Sequence, residues 1–228
     1  MSGKVTNGAG GSGEGGGSAE GWDAAFFARW MRAAADAVDR EADRLTELDS
    51  AIGDADHGGN MRRGFAAVRS ELDEGVPATP GSVLMTAGRK LVSTVGGASG
   101  PLYGTLLRRT GKTLGDAEVV TGEELAGALR AGIDAVAQLG GAAAGDKTML
   151  DALWPAADAL ADSGGKDLRA ARKAAEQGAK ETVPLQARKG RASYLGERSI
   201  GHQDPGAASA ALLMAALAAA GGEAEGSE

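Results

Sequence analysis

Three aspartates lie within one short, glycine-rich stretch of the chain, and together they have the chemistry of a cation site. Asp49, Asp54 and Asp56 all fall in the segment 48–61. At 100° per residue one helical face cannot gather the three carboxylates, whereas a loop can. Two carboxylates about 4 Å apart repel by roughly 4 kcal/mol at an effective dielectric near 20, so three converging side chains call for a cation. Oxygen ligands without thiols favour Mg²⁺. An Asx-turn or helix cap would explain any one of these aspartates but not all three.

Three later segments are also rich in groups that bind anions. The segment 95–104 combines glycines, Ser99 and a helix start, where backbone amides bind phosphate well, although an ordinary turn between helices is the alternative. The segment 140–149 ends at another helix start, at which Asp146 or Thr148 is most simply an N-cap. The segment 186–202 is a candidate anion site in an otherwise acidic chain. Its charged residues are four bases and one acid, Arg188, Lys189, Arg191, Arg198 and Glu197.

The two histidines of the chain, His57 and His202, each lie close to an aspartate in a polar, glycine-flanked segment. An imidazole in such a position could contact phosphate or carry charge. A zinc-dependent or HD-type phosphohydrolase would need more histidine ligands than two, so it stays a weak competitor.

Composition excludes several classes of protein. A net charge of −7 argues against broad binding to nucleic acid or anionic membranes, and the absence of cysteine excludes disulfides and thiolate chemistry. No apolar run reaches the length of a membrane span, and the N-terminus lacks the apolar stretch of a secretory signal. We therefore expect a cytoplasmic protein.

The apolar spacing predicts an all-α domain of eight helices with no convincing strand. Residues 1–21 and 221–228 are expected to be disordered Gly/Ser-rich tails, which leaves residues 22–220 as one domain. The abundance of alanine predicts close helix packing through small residues. Thr79-Pro80 and Thr121-Gly-Glu-Glu124 are helix-start signals, and Pro155 should cost a backbone bond or kink its helix. Six of the predicted helices cover Trp22–Leu45, 60–73, 101–110, Met149–Leu160, 166–182 and 206–219. The other two are predicted to begin at Thr79 and at Thr121.

Four motifs taken in order give a specific resemblance. The segments 48–58, 97–104, 145–153 and 190–207 resemble those of the nucleotide-binding L subunits of dihydroxyacetone kinase. The resemblance implies a barrel of eight antiparallel helices that holds ADP or ATP and two Mg²⁺ ions in loops at one end. It implies that Asp49, Asp54 and Asp56 ligate the metal and that Arg191 is catalytic. The implied nucleotide contacts are His57, Gly58, Gly59, Asn60, Ala98, Ser99, Gly141, Thr148, Met149, Arg191, Asp204 and Pro205.

The same resemblance implies a phosphotransferase that works as a subunit. In one form ADP stays bound, is rephosphorylated by a phosphohistidine carrier (the M subunit) of the phosphoenolpyruvate system, and phosphorylates dihydroxyacetone on a separate K subunit. In the other form ATP exchanges as an ordinary substrate. A module that binds a transcriptional regulator is a further alternative, and a homodimer is left open. The related fatty-acid kinases are much longer chains.

Overall fold

A computed structural model describes residues 21–222, so the predictions for the two tails lie almost wholly outside the described residues. Within that range the fold is all-α, as predicted. Its eight α-helices are α1 (Ala24–Ile52), α2 (His57–Glu74), α3 (Pro80–Thr94), α4 (Ser99–Leu114), α5 (Gly122–Gly140), α6 (Leu150–Asp162), α7 (Leu168–Glu181) and α8 (Pro205–Ala220). A 3₁₀ stretch, Arg191–Ser199, lies between α7 and α8.

The prediction that the chain has no strand is wrong in one detail. Trp22–Asp23 (β1) pairs antiparallel with Val119–Val120 (β2), and α1 consequently begins at Ala24 rather than at Trp22. Two residues per strand are too few to give a period-two signal in the sequence. Asp23 caps α1 by accepting a hydrogen bond from the Phe26 amide at 2.9 Å.

Local signals set the helix starts, as the sequence predicts. Thr79 and Ser82 form a capping box in front of α3, with Pro80 in its first turn. Thr121 and Glu124 form a second box in front of α5. Each box satisfies backbone N–H groups that a helix start leaves without intrahelical partners.

The helices form a closed ring. Each packs against the next in sequence, and α8 packs against α1, so the barrel closes. Helix α8 is buried on nearly every side, which accounts for its lack of a polar face. Trp30 of α1 donates its indole N–H to the Leu213 carbonyl of α8 at 2.9 Å, deep in the core.

Small residues let neighbouring helices approach closely, as the composition predicts. A Cβ placed on Gly88 of α3 would lie 2.9 Å from the Gly104 carbonyl oxygen of α4, and the reverse is also true. Pro155 does not end α6. It leaves the Asp151 carbonyl without its usual amide partner, and that oxygen is the atom nearest to a Cβ placed on Gly178 of α7.

Alternate loops gather at one end of the barrel. Sequential antiparallel helices send every second connection to the same end. The four at this end join α1 to α2, α3 to α4, α5 to α6 and α7 to α8, and they span residues 53–56, 95–98, 141–149 and 182–204. The four sequence motifs are therefore neighbours in space. None of the described helices is both long and apolar enough to span a membrane.

Candidate functional site

The three aspartates converge, as their spacing predicts. Asp49 lies in the last turn of α1, while Asp54 and Asp56 follow in the α1–α2 loop, and one carboxylate oxygen from each lies within 4.8 Å of the others. Asp49 is buried, and its Oδ2 accepts hydrogen bonds from the backbone amides of Asp56 at 2.9 Å and His57 at 3.1 Å. These two bonds fix the turn into α2. The other two carboxylates are exposed and remain available to a ligand.

The donor set fits a hard divalent cation. All three groups are carboxylates, and no thiol or imidazole belongs to the cluster. Such oxygen-rich sites suit Mg²⁺, which keeps several waters or substrate oxygens as its remaining ligands. One guanidinium nitrogen of Arg191 lies 3.3 Å from Asp54, so a cationic side chain already neutralises part of the negative charge.

The aspartates line the mouth of a cavity of about 620 Å³. All four loops contribute to its walls. The acidic cluster occupies the α1–α2 side of the ring, and apolar side chains cover the α4–α6 side. The apolar members are Leu102, Val136, Leu139, Ala142, Met149 and Leu150. The cavity can therefore hold a ligand with one apolar, flat end and one highly charged end.

Four helix N-termini point toward this end of the barrel, those of α2, α4, α6 and α8. The free N–H groups and the dipole of each favour anions. The first residues of α4 and α8, Ser99 and Pro205, line the cavity directly. A site with both an acidic cluster and converging helix starts suits a metal-bound polyanion.

A buried hydrogen-bond chain links three of these helices. His57 contacts the Ser99 hydroxyl through Nδ1 at 3.1 Å and the Ser209 hydroxyl through Nε2 at 2.9 Å. Ser209 in turn lies 2.7 Å from the Tyr103 hydroxyl. Burial lowers the pKa of His57 and raises that of Tyr103, so both side chains are held neutral. This hydrogen-bond network fixes the position of the Ser99 hydroxyl at the cavity wall.

Asp204 and Lys147 form the floor of the cavity. Asp204 caps α8, accepting from the Ala207 amide at 2.7 Å, and burial raises its pKa to about 7. Lys147 is 1% exposed and donates to the carbonyls of Leu185 at 3.0 Å and Ser199 at 2.7 Å. Burial lowers the pKa of Lys147, and the nearby Asp204 carboxylate partly opposes that effect.

Most of the residues singled out from the sequence line the cavity. These are Asp49, Asp54, Asp56, His57, Ala98, Ser99, Thr148, Met149, Arg191, Asp204 and Pro205.

Four other singled-out residues lie just outside the lining. Gly58 faces α1, since a Cβ there would overlap the Ala42 carbonyl and the Thr46 hydroxyl, whereas Gly59 faces open space. Asn60 accepts from the Arg63 guanidinium. Gly141 is the left-handed C-cap of α5, and its neighbours Gly140 and Ala142 line the cavity instead.

Sequence reasoning singled out Met149 but missed the rest of the apolar wall and the buried lysine. Val136 belongs to the same stripe as the core residues of α5, so periodicity alone could not assign it to a cavity. Lys147 carried one usable signal, a long charged side chain inside a glycine-rich turn at a helix start. Its burial depends on carbonyls contributed from about 40 and 50 residues away, which no local pattern reveals.

Comparisons with known proteins identify relatives of this chain. The DAK2 domain family model matches residues 51–219. The chain is 46% identical over 200 residues to the PEP-dependent dihydroxyacetone kinase, ADP-binding subunit DhaL of Escherichia coli (strain K12), covering 85% of this chain and 95% of that protein. It is 42% identical over 196 residues to the PEP-dependent dihydroxyacetone kinase 1, ADP-binding subunit DhaL of Listeria innocua, covering 86% and 96%.

A solved structure shares the fold. The dihydroxyacetone kinase of C. freundii in complex with AMP-PNP and Mg²⁺ superposes with a TM-score of 0.70 at 26% identity. The match covers 95% of this chain and 37% of that one, so this chain spans less than two fifths of that kinase.

Proposed function

The chain belongs to the DAK2 domain family, and from this premise we propose that it is the nucleotide-binding phosphotransferase subunit of a dihydroxyacetone kinase. It would hold ADP or ATP with Mg²⁺ and pass a phosphoryl group to an alcohol, dihydroxyacetone, carried on a separate K subunit. The observation that carries the proposal is the convergence of Asp49, Asp54 and Asp56 at the mouth of a cavity ringed by helix N-termini.

The acidic cluster and the helix starts would both bind the diphosphate group of the nucleotide, the first through Mg²⁺ and the second through backbone amides. Asp49, Asp54 and Asp56 would hold two Mg²⁺ ions, whose chemistry is to neutralise and orient phosphate oxygens. The amides at Ala98 and Ser99 would donate to the same oxygens from the start of α4. Arg191, exposed beside Asp54, would stabilise the charge on the phosphoryl group during transfer. Phosphoryl transfer needs positioning and charge neutralisation more than a protein nucleophile, which suits this set of groups.

The apolar wall would take the nucleobase. Val136, Leu139 and Met149 offer a surface on the side of the ring away from the aspartates. Asp204 and Pro205 would close the floor at the start of α8, and Thr148 would lie beside the base. This orientation puts the terminal phosphate at the open mouth, where a second protein can present a hydroxyl group.

The E. coli and L. innocua relatives are subunits of PEP-dependent kinases, which supports phosphoenolpyruvate as the ultimate donor. The proposal therefore includes a K subunit that binds the acceptor and an M subunit that carries phosphohistidine. A cytoplasmic location and a homodimer belong to the same proposal, and sedimentation of the free protein checks the latter.

Nucleotide retention tests the site. Mass analysis of small molecules released from the purified protein should find ADP, and titration calorimetry should give tight binding of ADP with Mg²⁺. Asp54→Asn removes one unit charge beside the cation, which at about 4 Å and an effective dielectric near 20 is worth roughly 4 kcal/mol, or about a thousandfold in affinity. Asp39→Asn, the same change at an exposed residue of α1 that does not line the cavity, is the matched control. Equal affinity in the Asp54 variant and the control would refute the metal assignment.

Reconstitution tests the reaction. The chain alone, given ATP or phosphoenolpyruvate with dihydroxyacetone, should make no dihydroxyacetone phosphate, because no acceptor site is proposed on it. Adding the K subunit and the phosphocarrier proteins should restore turnover, and each component is omitted in turn. Turnover with K and ATP alone would select the ATP-exchanging form. Product from the lone chain would overturn the subunit assignment.

A further inference from the structure

Lys147 is a buried lysine in an unusual backbone conformation. It is 1% exposed, and its φ of 62° lies in the left-handed region, where among the described residues the only other non-glycine is Ala55. A long side chain adopts that conformation only where its surroundings hold it there, and such positions cluster near functional sites. The Lys147 side chain is buried and forms part of the cavity lining.

The Lys147 ammonium group joins the two ends of one loop. It donates to the carbonyl of Leu185 at 3.0 Å and to the carbonyl of Ser199 at 2.7 Å. These carbonyls flank the residues from 186 to 199, which we call the Arg191 segment. Arg191 lies in the middle of that segment and reaches Asp54 at the mouth of the cavity. The Lys147 side chain thus binds both ends of the loop that carries the predicted catalytic arginine.

Two further bonds confine the base of the Arg191 segment. The Arg188 amide donates to the Asp146 carbonyl at 3.0 Å, and the Ala187 amide donates to the Ser199 hydroxyl at 2.9 Å. The Arg191 segment is therefore bonded both to the backbone carbonyl of Asp146 and to the side chain of Lys147. These two residues begin the stretch that leads into Thr148 and Met149 on the cavity wall.

Removing the ammonium would leave two carbonyls without their partner, one in a buried bond at Ser199 and one in a partly buried bond at Leu185. Buried polar groups without hydrogen bonds are costly, so the loop would relieve that cost by opening to solvent. The rest of the Arg191 segment is held mainly by short-range 3₁₀ bonds and a small apolar contact of Ile52 with Ala187 and Ala192. Opening would thus be local, and its first consequence would be the loss of a fixed position for Arg191.

We propose that Lys147 is a positioning residue that fixes the Arg191 segment against the nucleotide cavity and so holds Arg191 over the phosphate end. The proposal rests on the proposed function for the role of Arg191. It does not make Lys147 a contact of the reacting atoms. It predicts instead that the main effect of Lys147 on nucleotide binding or turnover passes through Arg191.

Hydrogen exchange of the nucleotide-free protein tests the structural half. In Lys147→Met, amides of residues 186–199 should exchange at least about tenfold faster, because both charge-assisted hydrogen bonds of the ammonium are lost, while helices α2 to α5 keep the parental rates. Lys112→Met, an exposed lysine at the other end of the barrel, is the control and should leave both regions unchanged. Lys147→Gln, whose neutral amide can still donate to one carbonyl, should fall between the parent and Lys147→Met. Unchanged exchange in the segment, or collapse of the helical signal in both Lys147 variants, would overturn the proposal.

A double-mutant cycle tests the functional half. Lys147→Met and Arg191→Ala should each weaken ADP–Mg²⁺ binding or slow reconstituted turnover by about tenfold, and the double variant should be no worse than the more severe single. Additive losses would show that Lys147 acts independently of Arg191 and would refute the positioning role. If the parent bound no nucleotide, the proposed function would fail, and the exchange experiment would still decide whether Lys147 holds the segment.

Discussion

Asp204 makes the stability of this protein depend on pH in a direction opposite to that of most paired carboxylates. The residue is 8% exposed at the start of α8, and burial raises the pKa of its carboxyl group from 3.8 to about 7. The folded protein therefore binds this proton more tightly than the unfolded chain does. The stabilisation that follows is complete below about pH 4 and is lost as the pH rises toward 7.

The structure sets the size of the effect. One pKa unit corresponds to about 1.4 kcal/mol, so the difference between 3.8 and about 7 gives a ceiling of about 4 kcal/mol. Between about pH 5.5 and pH 8 the contribution of Asp204 to the free energy of unfolding should fall by about 2 kcal/mol. Asp204→Asn removes the charge and keeps an oxygen that can accept from the Ala207 amide, as the carboxylate does at 2.7 Å. Asn and Asp are nearly equal as N-caps.

Urea unfolding of the nucleotide-free protein at the two pH values measures this contribution. The variant should gain about 2 kcal/mol relative to the parent on going from about pH 5.5 to pH 8. Taking the difference between variant and parent removes the opposite contribution of His57, whose pKa burial lowers. Asp167→Asn makes the same chemical change at the exposed N-cap of α7 and should show no such gain. An equal difference between Asp204→Asn and the parent at both pH values would refute the reasoning.

Two further predictions concern the core that supports the site. Gly58→Ala should lower the free energy of unfolding by about 2 kcal/mol, because its Cβ would overlap the Ala42 carbonyl, whereas Gly59→Ala meets open space and should gain about 0.5–1 kcal/mol in urea unfolding. Reversal of that order would contradict the assigned facing of α2. Trp30→Phe should lower the free energy of unfolding by about 2 kcal/mol in the same assay, since it removes the indole N–H that the Leu213 carbonyl accepts in addition to its helical partner and leaves a gap in the core, and an unchanged midpoint would refute that contribution.

The helices and the acidic loop could be predicted from the sequence because their signals are local. Capping boxes at Thr79 and Thr121 and apolar stripes behind them mark where helices begin and which face is buried. Some helix boundaries in the structure differ by a few residues from the predicted ones, because the capping contacts there are not visible in the sequence pattern. Helix α2, for example, begins at His57 rather than near Asn60, because two backbone amides bond to Asp49.

The remaining parts depend on contacts between distant segments. The His57–Ser209 bond joins residues 152 positions apart, and the bond from Lys147 to Ser199 joins residues 52 apart. A serine in an alanine-rich helix and a lysine in a polar turn look ordinary in the sequence. Only the closure of the ring makes one of them a partner of the predicted phosphate site and the other a buried cation.

The parity of the helix ring decides how the molecule can be attached to a surface. An even number of antiparallel helices returns the chain to the end where it started, so Trp22 and Ala220 both lie on the face opposite the cavity. A biosensor chip, a bead or a fluorescent reporter joined next to Trp22 or next to Ala220 would leave the mouth of the cavity directed toward bulk solution. Association of a partner protein with the immobilised chain could then be followed without a steric block, whichever of the two positions carries the tether.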